Sequence, residues 1–187
     1  MSQAQRSRGK GRRRPAATQG PIRNPLDVIA ADHAAERDAC ALIERIVRSG
    51  DPLPDDVKRV VSFLFGAFRQ HLLDEEEDLF PLLCRRCEPE DEIEKIIGLL
   101  RSEHRHPRSD YCRIIEILET AMAGASAISA NDRCILADYA LRAQRHLSVE
   151  NAIILPLARA RLTRADLSRL RRRMLERRCG CRNDAAR

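Results

Sequence analysis

Apolar residues recur between Pro25 and about Arg159 at alternating steps of three and four, the spacing that gathers one face of an α-helix. The first stripe, from Pro25 to about Arg48, reads Leu26, Ile29, His33, Glu36, Cys40, Ile43, Val47. The second, from Pro54 to about Cys87, reads Val57, Val61, Leu64, Phe68, His71, Glu75, Leu79, Leu82. The third, from about Pro89 to Gly124, reads Ile93, Ile97, Leu100, His104, then Pro107 or Arg108, then Tyr111, Ile114, Leu118. The fourth starts after Ser129 or Asn131, ends near Arg159, and reads Leu136, Tyr139, Ala143, His146, Glu150, Ile153, Leu157. A shorter helix after Thr163 carries Leu167, Leu170 and Met174 and ends at Gly180. Gly50 suits the left-handed residue that closes a helix, and Pro54 suits a first helical position. Pro107, inside the third pattern, predicts a bend; Pro81 and Pro156 predict helix ends or late kinks. Short connections between long amphipathic helices imply an all-α, antiparallel up-down four-helix bundle with a short C-terminal fifth helix.

Each stripe is broken once, near its middle, by a histidine, and the second and fourth add a glutamate four residues later. In HLLDEEEDLFPLL (71–83) five acids follow one another, and Glu75 is the one that points inward. Asp74, Glu76, Glu77 and Asp78 are expected on the wetter faces, Asp78 nearest the boundary. Burying Glu75 and Glu150 as bare carboxylates costs several kcal/mol each, on the order of what one lost charge partner costs. A cation at the bundle centre removes that cost, because it needs nitrogen and oxygen ligands. His71/Glu75 and His146/Glu150 each project both side chains from one helix face, one turn apart. The stretch at 71–82 also matches HLSVENAIILPL (146–157): His, Leu, Glu, Pro and Leu fall at identical offsets. His33 precedes His71 much as His104 precedes His146. The chain therefore reads as two copies of a helical hairpin carrying a pseudo-symmetric dinuclear site. Imidazoles with carboxylates suit iron, manganese or zinc and not calcium, and bridging carboxylates in a bundle favour iron or manganese, of which iron is expected.

Charge is segregated. Residues 1–23 hold seven Lys/Arg and no acid, residues 159–187 hold eleven Arg and three acids, and the total of +6 leaves −9 for the middle. The N-terminal stretch is aperiodic and rich in Arg, Gly, Pro, Ser and Gln, so it reads as a disordered basic tail. The resulting division is a tail over 1–23, a helical domain over 24–160, and a basic helix with a Cys-containing tail over 161–187. The basic ends could meet an anionic partner; the absence of interleaved aromatics weakens the case for nucleic-acid bases. No apolar run is long enough to span a membrane and no secretory signal is visible, so a cytoplasmic location is expected. Seven cysteines suggest free thiols in a reducing compartment. CRRC (84–87) and CGC (179–181) resemble redox or metal pairs at helix ends.

ADHAAERD (31–38), HLLDEEEDLFPLL (71–83), SEH (102–104) and HLSVENAIILPLA (146–158) together resemble the hemerythrin-like HHE cation-binding domain. The resemblance implies a four-helix bundle around a non-haem di-iron centre, with His33, His71, Glu75, His104, His146 and Glu150 as ligands. Oxygen-carrying hemerythrins have a second histidine four residues after the helix-3 histidine, where this chain has Arg108. His106 does not replace it, because two residues is about 200° around a helix. The set is similar to bacterial di-iron proteins associated with iron–sulfur repair and nitric oxide, and to iron and oxygen sensors. Binding, sensing or reduction of O2, peroxide or NO is expected. The alternative is a non-enzymatic iron- or redox-responsive module, or an iron store. Glu36 could be a third carboxylate or could orient an imidazole. Tyr111 and Tyr139 are expected on one side of the site in a layer with Cys40 and Leu64, where phenols could gate a gas or peroxide pocket.

Overall fold

The computed structural model describes residues 23–105, 107–123 and 127–184, the side chains of 107–109 and 180–184 excepted. Most of the expected basic tail, His106 and the side chain of Arg108 lie outside the described residues. Every regular element among the described residues is helical.

The first helix, α1 (Pro25–Ser49), starts where the pattern predicts. Asn24 Oδ1 accepts a hydrogen bond from Leu26 N–H at 3.1 Å, and Pro25 takes the first position, where a missing N–H costs nothing. Gly50 ends it with φ 70°, the left-handed conformation that favours glycine, and its N–H donates to the Ile46 carbonyl.

The second expected helix is a rod in three pieces: α2 (Pro54–Phe65), α3 (Ala67–Asp74) and α4 (Phe80–Arg86), with a π-helical turn at Glu75–Leu79. Gly66 separates α2 from α3, and its N–H is shared between the Ser62 and Phe63 carbonyls at 3.2 Å. The third expected helix is also divided. Pro89–Asp91 form a 3-10 turn, Glu92 turns left-handed at φ 47°, and α5 (Ile93–His104) only then begins. Pro107 does not bend a continuous helix; it opens a new one, α6 (Pro107–Met122), where its fixed φ suits an N-terminus. The fourth rod is α7 (Ala130–Val149), a π turn at Glu150–Ile154, and α8 (Leu155–Arg161).

The two π turns are equivalent. Each begins at the repeated glutamate, and each closes with an i→i+5 bond, Phe80 N–H to Glu75 O and Leu155 N–H to Glu150 O. Each is followed by a proline as the second residue of the next helix. A proline ring collides with the carbonyl four residues back, and one widened turn relieves the collision without ending the rod.

Two apolar clusters hold the rods. One joins Leu26 and Ile29 to Leu79, Phe80, Leu83, Ile93, Ile97, Leu100, Ile154 and Leu155. The other joins Cys40, Ile43 and Ile46 to Val57, Val60, Leu64, Ile114, Leu118, Leu136 and Tyr139. Successive rods cross between the clusters in alternating directions, and the polar interruptions of the stripes fall between them.

The C-terminal helix, α9 (Arg164–Asp184), departs from expectation. It has 21 residues and passes through Gly180. Thr163 and Asp166 cap its start reciprocally: Thr163 N–H donates to Asp166 Oδ2 at 3.0 Å, and Asp166 N–H donates to Thr163 Oγ1 at 3.2 Å. Leu170 and Met174 are fully buried in the first cluster. Such burial contributes about 1.5–3 kcal/mol per side chain, enough to make α9 part of the core. Its arginines then reach the acidic run. Arg178 Nη1 lies 2.7 Å from Asp74 Oδ2, Arg177 pairs with Asp74 and Asp78, and Arg173 pairs with Asp78. Asp74 and Asp78 are therefore buried, not on the wet face where the sequence pattern puts them. Burial pushes the Asp74 carboxyl upward, and Arg178 and Arg177 oppose it.

Candidate metal centre

All six residues expected as ligands converge between the two clusters. They form two overlapping groups, His33/His71/Glu75/Glu150 and Glu75/His104/His146/Glu150. Within each group one ligand-capable atom per residue lies within 4.8 Å of all the others. Glu75 and Glu150 belong to both, so the carboxylates stand between two sets of imidazoles. Each rod supplies one histidine, and the π turns place both glutamates at the start of a widened turn.

The outer nitrogens fix the tautomers. His104 Nδ1 lies 2.8 Å from Glu76 Oε1, and His146 Nδ1 lies 2.6 Å from Glu103 Oε2. A carboxylate can only accept there, so both Nδ1 atoms carry hydrogen. Asn151 Nδ2 donates to the Leu147 carbonyl at 2.6 Å, which turns Asn151 Oδ1 toward His33 Nδ1 at 3.3 Å. That nitrogen is also a donor. Three imidazoles thus aim Nε2 lone pairs at the centre, where His104 Nε2 and His146 Nε2 face each other at 2.8 Å. Two lone pairs at that distance repel unless a proton or a metal cation lies with them.

The acids are equally demanding. Glu75 and Glu150 are fully buried, and Glu75 Oε2 and both Glu150 oxygens lack a partner in hydrogen-bond geometry. His33 Nε2 lies 3.4 Å from Glu75 Oε1 and 3.3 Å from Glu150 Oε2. His71 Nε2 lies 3.4 Å from Glu75 Oε2, and His146 Nε2 lies 2.9 Å from Glu150 Oε1.

Without metal, protons must balance this charge. Burial and the neighbouring Glu150 push Glu75 well above the usual carboxylate range. Burial pushes Glu150 the same way, but the facing histidines, His146 first, outweigh it and hold Glu150 at about 2. Burial alone would lower His146; Glu150 and Glu103 raise it to about 9. Burial lowers His71 to about 3 and also lowers His33. The site therefore traps a shared proton where a cation fits. The donor set is imidazole nitrogen and carboxylate oxygen, which suits first-row transition metals.

The two halves differ in access. His33 is sealed, whereas His71, His104 and His146 line a cleft of about 470 Å3 between α1, α3, α5 and α7. Glu36 and Tyr139 also line it; Glu36 belongs to neither ligand group. Tyr111 instead packs edge-on against Phe68, ring centroids 6.3 Å apart. Cys40 and Leu64 sit in the second apolar cluster, as the layer predicts.

Stripe reasoning missed Glu76, Glu103 and Asn151. Each adjoins a stripe residue, and one position is about 100° around a helix, so periodicity carries no signal for them. The only hint is that all three are polar beside a site residue. CRRC is elsewhere: Cys84 and Cys87 line a separate cleft with Glu88 and Glu92. Burial and then Asp91 push the Cys87 thiol up, so this helix end does not activate it. Cys179 is exposed, and the side chain of Cys181 lies outside the described residues.

The hemerythrin HHE cation-binding domain model matches residues 24–158. No curated protein and no solved structure matches the chain.

Proposed function

Because the chain belongs to the hemerythrin HHE cation-binding family, we propose that it is a non-haem di-iron protein that binds, senses or reduces a small oxidant: O2, peroxide or NO. His33, His71, Glu75, His104, His146 and Glu150 are the proposed ligands, with Glu75 and Glu150 shared by the two ions. The observation that carries this reading is the His104 Nε2 to His146 Nε2 approach at 2.8 Å beside two buried carboxylates, of which Glu75 Oε2 and both Glu150 oxygens lack a partner in hydrogen-bond geometry. Two shared carboxylates in a helical bundle suit a pair of iron or manganese ions better than zinc, and iron is the metal proposed. We read the fold as the up-down four-helix bundle over 24–160, with α9 as an added fifth helix and a basic tail over 1–23. A cytoplasmic location is part of the same reading; among the described residues no helix is long and apolar enough to cross a membrane.

Bound iron would supply the electrons for oxidant chemistry. The chain's own residues do the rest. The apolar clusters exclude water from both ends of the centre. Glu76, Glu103 and Asn151 hold three imidazoles with Nε2 inward. The cleft admits the ligand on the His104/His146 side.

Metal analysis and an absorption spectrum of protein purified without chelator test this reading. Two irons per chain with charge-transfer bands are expected; a metal-free protein that takes up no iron would sink it. One observation favours a regulatory variant: α9 grips Asp74, the residue next to Glu75. A single stoichiometric reaction with altered binding of an anionic partner would support the sensor, and repeated oxidant turnover would support the enzyme.

A further inference from the structure

The arginines of α9 divide between its two faces. Arg173, Arg177 and Arg178 turn toward the bundle and pair with Asp74 and Asp78. Arg164, Arg169 and Arg171 are exposed, and none of them has an ion pair or hydrogen bond among the described residues. Arg172, beside them, meets only Glu176 of its own helix, at 3.8 Å. Seven residues are about 700° around a helix, so Arg164 and Arg171 stand two turns apart on one line, and Arg169 and Arg172 widen it across the outer face. Arg164 is the first residue of α9, where a positive charge opposes the helix dipole, so helix stability does not account for it. Leu170 and Met174 are fixed in the core, so the outer arginines stand on a rigid support.

We propose that the outer face of α9 is a docking surface for the phosphate backbone of a duplex nucleic acid, bound without regard to base sequence. Charge complementarity names the partner. From Arg164 to Arg172 the helix rises about 12 Å, and a duplex carries one negative charge per about 1.7 Å of its axis, so the stripe faces several phosphates. Arginine matches phosphate with paired N–H donors. None of the exposed large apolar side chains lies on α9, so the face has no wedge to enter a bilayer. The helix has no aromatic residue, so unpaired bases have nothing to stack on, which favours a duplex over a single strand. Contacts to phosphate position a protein and carry no sequence information. The surface lies on the far side of α9 from Asp74, and the inference stands apart from the di-iron reading.

The test titrates full-length protein into a short labelled DNA duplex of mixed sequence and follows anisotropy across a salt series. Log affinity should fall linearly with log salt. Arg164→Ala with Arg169→Ala and Arg171→Ala should lower that slope by about three, one per phosphate contact, and weaken binding more than about tenfold at about 0.1 M salt. Its melting temperature should match the parent's, because the three side chains hold nothing in place. Lys58→Ala with Arg59→Ala and Lys95→Ala removes the same charge from exposed positions outside α9 and should bind as the parent does. Equal losses in the two triple variants would mean that net charge alone acts, and would overturn the proposal. Parent-like binding by the α9 variant would overturn it too, and would move the contact to the basic stretch over 1–23. So would a parent chain that binds phosphatidylglycerol vesicles, or a second copy of itself at low salt, and not the duplex. Failure to take up iron sinks only the di-iron reading, since duplex binding is expected of the iron-free protein as well.

Discussion

Arg178 Nη1 sits 2.7 Å from Asp74 Oδ2, so the C-terminal helix is pinned to the residue that immediately precedes a shared site glutamate. Asp74 has no exposure of its own, and Arg177 is its second partner. Arg178→Ala should therefore cost only about 1 kcal/mol, because one guanidinium remains. Arg177→Ala with Arg178→Ala leaves a buried charge alone and should cost about 3–5 kcal/mol. Urea unfolding of the iron-free protein measures both, and equal effects of the single and double variants would contradict the shared clamp.

The imidazole-orienting acids give a sharper test of the centre. Glu76→Ala and Glu103→Ala remove the partners of His104 Nδ1 and His146 Nδ1 and leave every proposed ligand in place. Each should weaken metal binding about 10–100-fold, with little change in iron-free stability. Competition with a chelator reads the affinity. Glu77→Ala, whose side chain is half exposed and paired only with α9 arginines, serves as the control.

Metal uptake should release protons. Glu75 and His146 are both held above their ordinary values, so each carries a proton near neutral pH that a cation displaces. Apparent affinity should rise with pH until His146 loses its proton, about pH 9, by roughly tenfold per pH unit for each proton released. Titration with ferrous iron in weak buffer with an indicator dye counts the protons. Uptake without release would mean that the buried pair is already ionised.

Asp166 ties acid stability to α9. Arg86, then the Thr163 cap, hold its carboxyl at about 2, below the ordinary value of 3.8. A depressed folded value contributes stability that is complete above 3.8 and disappears as pH falls toward about 2. Asp166→Asn should cost about 1 kcal/mol at neutral pH, the usual worth of an N-cap, and the difference from the parent should close in acid. Unfolding curves at several pH values show whether it closes.

The six residues that converge between the clusters were legible because they lie on the apolar stripes, four of the five histidines among them. The rod order was legible for the same reason. Asp74 was misjudged because helical periodicity places a residue relative to its own helix and says nothing about a fifth helix arriving from outside. The reach of α9 was itself hidden. Eight of its 21 residues are arginine, and among its described side chains only Leu170 and Met174 are fully buried apolar groups. The π turns had a trace in the sequence, a proline ten residues after the second histidine of each hairpin (Pro81 after His71, Pro156 after His146), but a proline alone does not distinguish a helix end from a widened turn.

The matched π turns carry an implication about ancestry. Each hairpin brings a histidine, a histidine–glutamate pair and its own widened turn, so neither contributes a kind of part the other lacks. A polypeptide of one hairpin could build the whole centre by pairing with a copy of itself, and duplication with fusion would then yield this chain. In that history α9 belongs to neither repeat. It stands outside the internal symmetry, as does the single-sided access to the centre.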